Sequence, residues 1–143
     1  AIGSALGRPD KQVINIAGDG SFKMNMQELA TVSKYQIPII QLVLNNGSLG
    51  MVRQWQKLFF NNRISHTDIT PDVEFTKLAD AFGIFSMKLT KDEDVEAILS
   101  KALSMKKPVL IECIIDSDNM ATPMVPLGQG LATCRHIIPE VIS

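Results

Sequence analysis

Two nearly continuous apolar runs constrain the fold of this chain more than any other feature of its sequence. They cover residues 39–44 and 109–115, and Pro38 and Pro108 stand directly before them. Apolar runs without alternating polar residues are typical of parallel strands that are covered on both faces of a sheet. We therefore expect these runs to be buried strands of a parallel sheet.

Helical patterns alternate with strand patterns along the chain. Apolar residues recur at helical spacing over the ranges 25–35, 51–60, 74–82 and 95–103, and shorter β-rich runs cover residues 12–17 and 85–89. This alternation predicts an α/β fold, a doubly wound parallel sheet with helices on both faces. Before the last helix, Thr90 is followed three positions later by Glu93, which predicts a capping box.

The length and the two ends predict the domain organisation. A chain of 143 residues is long enough for a hydrophobic core, so residues 1–143 are expected to form a single domain. Residues 116–143 are rich in proline, glycine, methionine and polar residues, which predicts an extended C-terminal tail. The chain begins without methionine, in what reads as the last turns of a helix that ends at Gly7. We expect it to be a C-terminal piece of a longer polypeptide.

Charge, hydropathy and cysteine spacing argue against several classes of protein. Net charge is −1 at pH 7, and lysine and arginine form no dense patch, so neither nucleic acid nor a membrane is expected as a partner. No apolar run has the length of a membrane span, and no export signal opens the chain. Cys113 and Cys134 lack metal-type spacing, and Cys113 is expected to be a small core residue. These features favour a reduced, cytoplasmic protein.

Two polar turns follow strands of the predicted sheet, over residues 18–21 and 45–48. In open parallel sheets, ligands bind beyond the carboxyl ends of the strands, and the turns of neighbouring strands face one crevice. Asp19 and Asn46 supply hard oxygen atoms of the kind that Mg²⁺ prefers. Such an ion is usually held by one or two protein ligands together with waters and substrate phosphates. The pair therefore predicts a magnesium site.

The small residues beside Asp19 suit a phosphate group. Gly20 allows the backbone to approach a ligand closely, because it has no side chain. Ser21 adds a hydroxyl and a backbone N–H near a helix start, where anions are favoured. Our hypothesis is that the glycines make room for a diphosphate and that Asp19 holds the cation that neutralises it.

Each turn has another explanation when it is taken alone. Gly-Asp-Gly is a common tight turn, and Asn-Asn-Gly is an ordinary turn sequence. A dinucleotide-binding fingerprint would need a third glycine where Lys23 stands, and there is no P-loop. A phospho-accepting receiver domain also uses an aspartate at a strand end together with magnesium, but its site requires further acidic residues at the end of an earlier strand. Only Asp10 is near, and it lies before its strand. A magnesium-dependent signalling module of receiver type stays open as an alternative.

The spacing of the two turns resembles the thiamine diphosphate motif. Gly18-Asp19-Gly20 is followed by an Asn-Asn pair whose second member, Asn46, stands 27 positions after Asp19. Three segments resemble the large catalytic subunit of acetolactate (acetohydroxyacid) synthase: GDGSFKMNMQELATVSKYQIPI, NNGSLGMVRQWQKLFFNNRISHT and, near the end, PMVPLGQGL. The motif indicates the cofactor. The choice among enzymes that use this cofactor is narrowed by the segment Met-Val-Arg-Gln-Trp-Gln.

The resemblance implies a role for each matching position. It makes Asp19 and Asn46 side-chain ligands of magnesium, with the backbone oxygen of Ser48 as a third protein ligand. It assigns the following residues to cofactor binding: Gly18, Asp19, Gly20, Ser21, Asn46, Ser48, Leu49, Gly50 and Met51. It assigns Met51, Val52 and Trp55 to the substrate pocket, where herbicides that block the enzyme also bind. Without the resemblance, Trp55 would be interpreted as a core aromatic at helical spacing.

The resemblance also implies an activity. The family condenses two pyruvates to 2-acetolactate, or pyruvate with 2-ketobutyrate to 2-aceto-2-hydroxybutyrate, with release of CO₂. This is the first common step in the biosynthesis of the branched-chain amino acids valine, leucine and isoleucine. Alternatives within the class are other pyruvate-using thiamine diphosphate enzymes: an oxidase, a decarboxylase or a catabolic acetolactate synthase.

Further parts of such an enzyme are expected outside this chain. The resemblance places FAD mainly on a central domain and the catalytic glutamate on an N-terminal domain, so no catalytic residue is expected here and the isolated fragment is expected to be inactive. It implies a homodimer or higher oligomer, with a possible small regulatory subunit. The location would be the cytoplasm, or a plastid in a plant, which the sequence does not indicate.

Overall fold

The computed structural model describes residues 1–69, 73–125 and 128–134. Four strands form one sheet in the order β1-β2-β4-β3: β1 (Val13–Gly18), β2 (Ile39–Asn45), β3 (Phe85–Leu89) and β4 (Val109–Ile114). Every neighbouring pair is parallel. The two long apolar runs are the two central strands, because only these positions are covered on both faces. The predicted α/β fold with a parallel sheet is confirmed.

In the described part of the chain, six helices connect and cover these strands: α1 (Ile2–Gly7), α2 (Asp19–Lys23), α3 (Leu29–Lys34), α4 (Gly50–Phe59), α5 (Phe75–Ala81) and α6 (Val95–Ser104). The predicted helix over residues 25–35 is a 3₁₀ turn, Met26–Glu28, that runs into α3. The turn predicted over residues 18–21 is largely helical, since α2 begins at Asp19 directly after β1. No helix of the described residues is both long and apolar enough to cross a membrane.

The hydrophobic core has two parts, one on each face of the sheet. On one face, residues of α1, α2, α3 and α5 pack against the sheet, with Phe22 and Phe75 in edge-to-face contact at 5.6 Å between ring centroids. On the other face, α6 packs against Ile40, Val109 and Ile111. Helices therefore cover both faces, as predicted.

The capping box predicted at Thr90 and Glu93 is wrong. A 3₁₀ turn, Asp92–Asp94, precedes α6, which begins at Val95 with Asp94 at its N-cap and no side-chain capping hydrogen bond. The extra turn moves the start of the helix away from Thr90, so its hydroxyl cannot reach the first free N–H groups of the helix.

Cys113 is buried, as expected, at 6% exposure. Burial raises the pKa of its thiol, and the charge of the neighbouring Glu112 raises it further. Cys113 is therefore a core residue rather than an accessible thiol.

The start of the predicted tail is fixed against α4. Arg53 and Lys57 contact the Asp118 carboxylate at 3.0 and 2.5 Å. Hydrogen bonds from Lys57, which has the larger effect, and from Arg53 hold the pKa of Asp118 below its ordinary value. Residues 126–127 and 135–143 of this tail lie outside the described residues, so an extended tail over 116–143 stays a prediction, as does the single domain.

Candidate functional site

Asp19 is a buried carboxylate at the carboxyl end of β1. Its exposed fraction is 3%, and one of its oxygens accepts the N–H of Gly20 at 2.9 Å. Among the described residues, no lysine or arginine forms an ion pair with it. A buried carboxylate without a cationic partner is costly, because the low-dielectric interior cannot replace the water it has lost. Asp19 is therefore a candidate ligand for a cation.

The second turn, at the end of β2, is held rigidly by its own side chains. Asn45 Oδ1 accepts the N–H of Gly47 at 3.1 Å, and Asn46 Oδ1 accepts the N–H of Ser48 at 3.0 Å. Gly47 has φ of +63°, a conformation that suits glycine. An amide oxygen has two lone pairs, so Asn46 Oδ1 can accept this N–H and still bind a metal ion.

Hydrogen bonds to Thr67 and Ile69 also hold this turn in place. The N–H of Leu49 and the Oγ of Ser48 both donate to the carbonyl of Thr67, at 2.8 and 3.0 Å. The N–H of Ile69 donates to the carbonyl of Gly47 at 2.9 Å. The turn is therefore fixed on two sides before any ligand binds.

The sheet brings both turns to one cavity of about 540 Å³. Strands β1 and β2 are direct neighbours, and Gly18 is in register with Leu44, so the turns leave the sheet side by side. All nine residues predicted to bind the cofactor line this cavity: Gly18, Asp19, Gly20, Ser21, Asn46, Ser48, Leu49, Gly50 and Met51. Their individual roles stay predictions.

The N-terminus of α4 faces the same cavity. The helix begins at Gly50, and its first intrahelical hydrogen bond is from the N–H of Arg53 to the carbonyl of Leu49. The preceding N–H groups, including those of Gly50 and Met51, have no acceptor within the helix, and the helix dipole favours an anion there. This arrangement suits a phosphate group.

A second cavity, of about 440 Å³, lies along α4 and shares Met51 and Val52 with the first. Its other lining residues are Trp55, Gln56, Phe60 and Arg63. Trp55 contacts Phe59 edge to face at 5.6 Å, and its indole Nε1 is buried without a hydrogen-bond partner among the described residues. Trp55 belongs to neither core cluster, so the structure places it in a cavity wall.

The sequence analysis missed several residues that line the cavities. Leu44 and Ile115 line the first cavity, and they could have been found because each lies at the end of a central strand. Ala121 lines the first cavity and Arg63 the second, but no pattern in the sequence around either residue indicates a site. The side-chain amides of Gln54 and Gln56 each hold a returning segment by two backbone hydrogen bonds, to Ala121 and Ser65 respectively. Such tertiary contacts bring irregular segments to the site.

Gly50 must stay without a side chain for Asn46 to keep its position. A Cβ at Gly50 would lie 2.7 Å from Asn46 Nδ2, closer than real Cβ contacts allow. Gly50→Ala is therefore expected to displace the Asn46 amide and to weaken metal-dependent ligand binding about tenfold, the lower end of what disturbing the support of a metal ligand costs. Calorimetric titration of the intact protein would measure this.

Gly3→Ala is the matched control for this prediction. It also lies in a helix, and a Cβ there would meet nothing within 4 Å. Both substitutions remove the backbone freedom of a glycine from the unfolded chain, an effect of roughly 0.5–1 kcal/mol. Only Gly50→Ala meets another residue, so only it is expected to change binding. Equal affinities in the two variants would contradict the arrangement described for Asn46.

Comparison with known proteins gives consistent similarities. Residues 1–113 match the family described as thiamine pyrophosphate enzyme, C-terminal TPP binding domain. The chain is 45% identical over 128 residues to the acetolactate synthase isozyme 2 large subunit of Escherichia coli (strain K12), covering 90% of this chain and 23% of that protein. It is 42% identical over 142 residues to the mitochondrial acetolactate synthase catalytic subunit of Saccharomyces cerevisiae, covering 99% of this chain and 20% of that protein.

A solved structure shares the fold. The Rhodococcus jostii RHA1 thiamine diphosphate-dependent 4-hydroxybenzoylformate decarboxylase aligns with a TM-score of 0.76 at 32% identity, over 84% of this chain and 23% of that one. The chain thus spans 20% to 23% of the length of each of these proteins. The predicted resemblance to acetolactate synthase large subunits is confirmed.

Proposed function

We propose that this chain, which belongs to the thiamine pyrophosphate enzymes through their C-terminal TPP binding domain, anchors thiamine diphosphate and Mg²⁺ in the cavity between the two strand-end turns. The single observation that carries the proposal is the buried Asp19 carboxylate, which has no cationic partner among the described residues. The cofactor itself follows from the family, and the position of the cation follows from this carboxylate.

The donor set in the cavity fits magnesium. The Asp19 carboxylate, the Asn46 amide oxygen and the backbone oxygen of Ser48 are all hard oxygen ligands. The described residues contain no group of three or more histidine, cysteine, aspartate or glutamate side chains that could form a protein-only metal site. Magnesium is typically bound by few protein groups, with phosphate oxygens and waters completing its shell. These residues would therefore hold the ion only together with a diphosphate.

Gly20, Ser21 and the N-terminus of α4 would bind the diphosphate. A Cβ at Gly20 would lie 3.0 Å from Leu49 Cδ2 and 3.4 Å from Ile69 Cδ1, so a side chain here would fit only if Leu49 shifted slightly. The hydroxyl of Ser21 and the free N–H groups at Gly50 and Met51 would donate to phosphate oxygens. The cavity would thus offer the diphosphate both hydrogen-bond donors and the ligands of a neutralising cation.

We propose that the intact protein is an acetolactate synthase, as its relatives are named. It would condense two pyruvates to 2-acetolactate, or pyruvate with 2-ketobutyrate to 2-aceto-2-hydroxybutyrate. Each reaction would release CO₂. Thiamine diphosphate, when bound, would supply the stabilisation of negative charge on carbon that loss of CO₂ from a 2-keto acid requires. Met51, Val52 and Trp55 would orient the second keto acid and exclude water, because Met51 and Val52 line both cavities.

Other parts of the assembly are proposals that rest on the family resemblance. They are FAD on another domain, a catalytic glutamate outside this chain, and a homodimer or higher oligomer. A regulatory small subunit is supported by the name "large subunit" that the Escherichia coli relative carries. A cytoplasmic location also stays a proposal.

Incubation of the intact protein with pyruvate, Mg²⁺, thiamine diphosphate and FAD tests this function. We expect 2-acetolactate as the product and a mixed product when 2-ketobutyrate is added. A decarboxylase, which is what the solved structure is, would release an aldehyde instead. Free acetaldehyde without acetolactate would reject the synthase in favour of the decarboxylase alternative, and binding of acetyl phosphate instead of thiamine diphosphate would favour the receiver-type alternative.

A further inference from the structure

Glu112 is a carboxylate buried in the sheet, and neither the metal site nor the substrate pocket described above uses it. It lies on β4 among apolar residues, and its exposed fraction is 2%. Its register partners are Val43 on β2 and Lys88 on β3. Burying a carboxylate costs free energy, so an apolar side chain would be the simpler choice for a central strand. The carboxylate at this position needs an explanation.

One oxygen of Glu112 makes a short, directed contact. Oε1 accepts a hydrogen bond from Asn45 Nδ2 at 2.7 Å. Oε2 is buried and has no hydrogen-bond partner among the described residues, and Lys88 Nζ lies 3.7 Å from it. Because charge-assisted hydrogen bonds are strong at this length, the contact with Asn45 is the principal interaction of the carboxylate.

Asn45 connects Glu112 to the turn that contains Asn46. Its Nδ2 donates to Glu112, while its Oδ1 accepts the N–H of Gly47 at 3.1 Å. An asparagine amide can satisfy both partners in one orientation only, since its oxygen accepts and its nitrogen donates. An ionised carboxylate can only accept. Glu112 therefore selects the orientation in which Oδ1 faces Gly47.

The location of Glu112 relative to the first cavity supports the same connection. A smaller cavity of about 160 Å³ is lined by Glu112, Asn45, Gly47 and Asp19 together. Asp19 lines both this cavity and the larger one between the turns. Glu112 thus lies directly behind the two turns that would hold the metal ion.

We propose that Glu112 is a positioning residue for the Mg²⁺ site, which it supports by fixing the Asn45 amide and, through it, the turn over residues 45–48. The proposal rests on the proposed function, because it presupposes that this turn binds the ion. Losing a group that orients a metal ligand typically lowers metal affinity about 10–100-fold. Glu112 acts through one further side chain, so the lower end of this range is expected.

Glu112→Met and Glu112→Gln test the proposal in the intact protein. Methionine has a similar length and no acceptor for Asn45, whereas glutamine keeps an amide oxygen at Oε1. We expect the Mg²⁺ dissociation constant, measured by titration at excess thiamine diphosphate, to rise about tenfold in Glu112→Met, as for other orienting groups. Glu112→Gln is expected to recover most of that loss. The rate at saturating Mg²⁺ should change much less than the Mg²⁺ requirement.

Thermal unfolding in EDTA separates positioning from a structural role. In Glu112→Met, the favourable loss of a buried charge is opposed by the loss of the acceptor for Asn45 Nδ2. The melting temperature in EDTA is therefore expected to change little, and a loss of Mg²⁺ affinity at unchanged metal-free stability supports the proposal. Unchanged Mg²⁺ affinity in Glu112→Met would overturn it. An equal loss in Glu112→Gln would also overturn it, because charge rather than the hydrogen bond would then matter.

Asn45→Ala keeps the proposal testable if Glu112→Met does not fold. It removes the hydrogen bond to Glu112 and also the one that Asn45 Oδ1 accepts from Gly47. The Mg²⁺ dissociation constant is therefore expected to rise at least tenfold, and unchanged affinity would overturn the proposal. Failure of the proposed function would look different, since the unsubstituted protein itself would then bind neither Mg²⁺ nor thiamine diphosphate.

Discussion

Asp19→Ala in the intact protein is expected to weaken Mg²⁺ and thiamine diphosphate together, by about 100-fold or more. The substitution removes a direct ligand, and even groups that only orient metal ligands cost 10–100-fold. A loss of 100-fold corresponds to about 2.8 kcal/mol of binding free energy. The two ligands should weaken together because the cation neutralises the diphosphate, whose charge completes the metal shell. Calorimetric titration of each ligand in the presence of the other measures both losses.

The metal-free protein should respond in the opposite direction. Asp19 is 3% exposed and has no cationic partner among the described residues, so removing its charge should leave the apo protein equally stable or more stable. Asp19→Asn is the matched variant, since it keeps the shape and the acceptor for Gly20 and loses only the charge. A merely structural Asp19 would show the reverse pattern, with lower apo stability and unchanged affinity for the cofactor.

Trp55→Leu is expected to leave thiamine diphosphate affinity within about threefold and to change the selectivity of the substrate pocket about tenfold. Trp55 lines the second cavity, not the one between the turns. It lies one turn beyond Met51 on α4, roughly 6 Å along the helix axis. Its flat ring would bind planar inhibitors and the longer keto acid by offset stacking and apolar burial, a contribution of about 0.5–1.5 kcal/mol beyond area.

Competition between pyruvate and 2-ketobutyrate, together with inhibition by a sulfonylurea, measures this effect. Trp55→Phe is the control, because it retains an aromatic face and should retain most of the selectivity. The assignment of Trp55 fails if cofactor affinity collapses while inhibitor sensitivity is unchanged. It fails equally if unfolding is the only effect, which a core tryptophan would give.

The sheet and the cavity between the two turns were predictable because their signals are local. Apolar runs without alternation can be buried on both faces only in the middle of a parallel sheet, and residues 39–44 and 109–115 are there. The rule that ligands bind beyond the carboxyl ends of strands brought Asp19 and Asn46 together without knowledge of the loops. Both residues lie at the ends of neighbouring strands, so the fold alone determines their proximity.

The features that sequence analysis missed depend on contacts between distant segments. The start of α2 at Asp19 was interpreted as a turn, because glycine on both sides favours turns over helices. Ala121 is held at the cavity by Gln54, 67 positions earlier, which pairs with its backbone. Glu112 stood in an apolar run with no visible partner, since Asn45 is equally far away along the chain. No periodicity carries such information.

The most direct test of the metal site is the position of the cation itself. Crystals of the intact protein with thiamine diphosphate and Mn²⁺ in place of Mg²⁺ would give an anomalous difference peak at the ion. We predict one peak between the turns, about 2.0–2.3 Å from an Asp19 carboxylate oxygen, Asn46 Oδ1 and the Ser48 backbone oxygen, near the distances that magnesium requires. A cofactor whose ion lies away from Asp19, or a diphosphate bound with no peak in this cavity, would contradict the account.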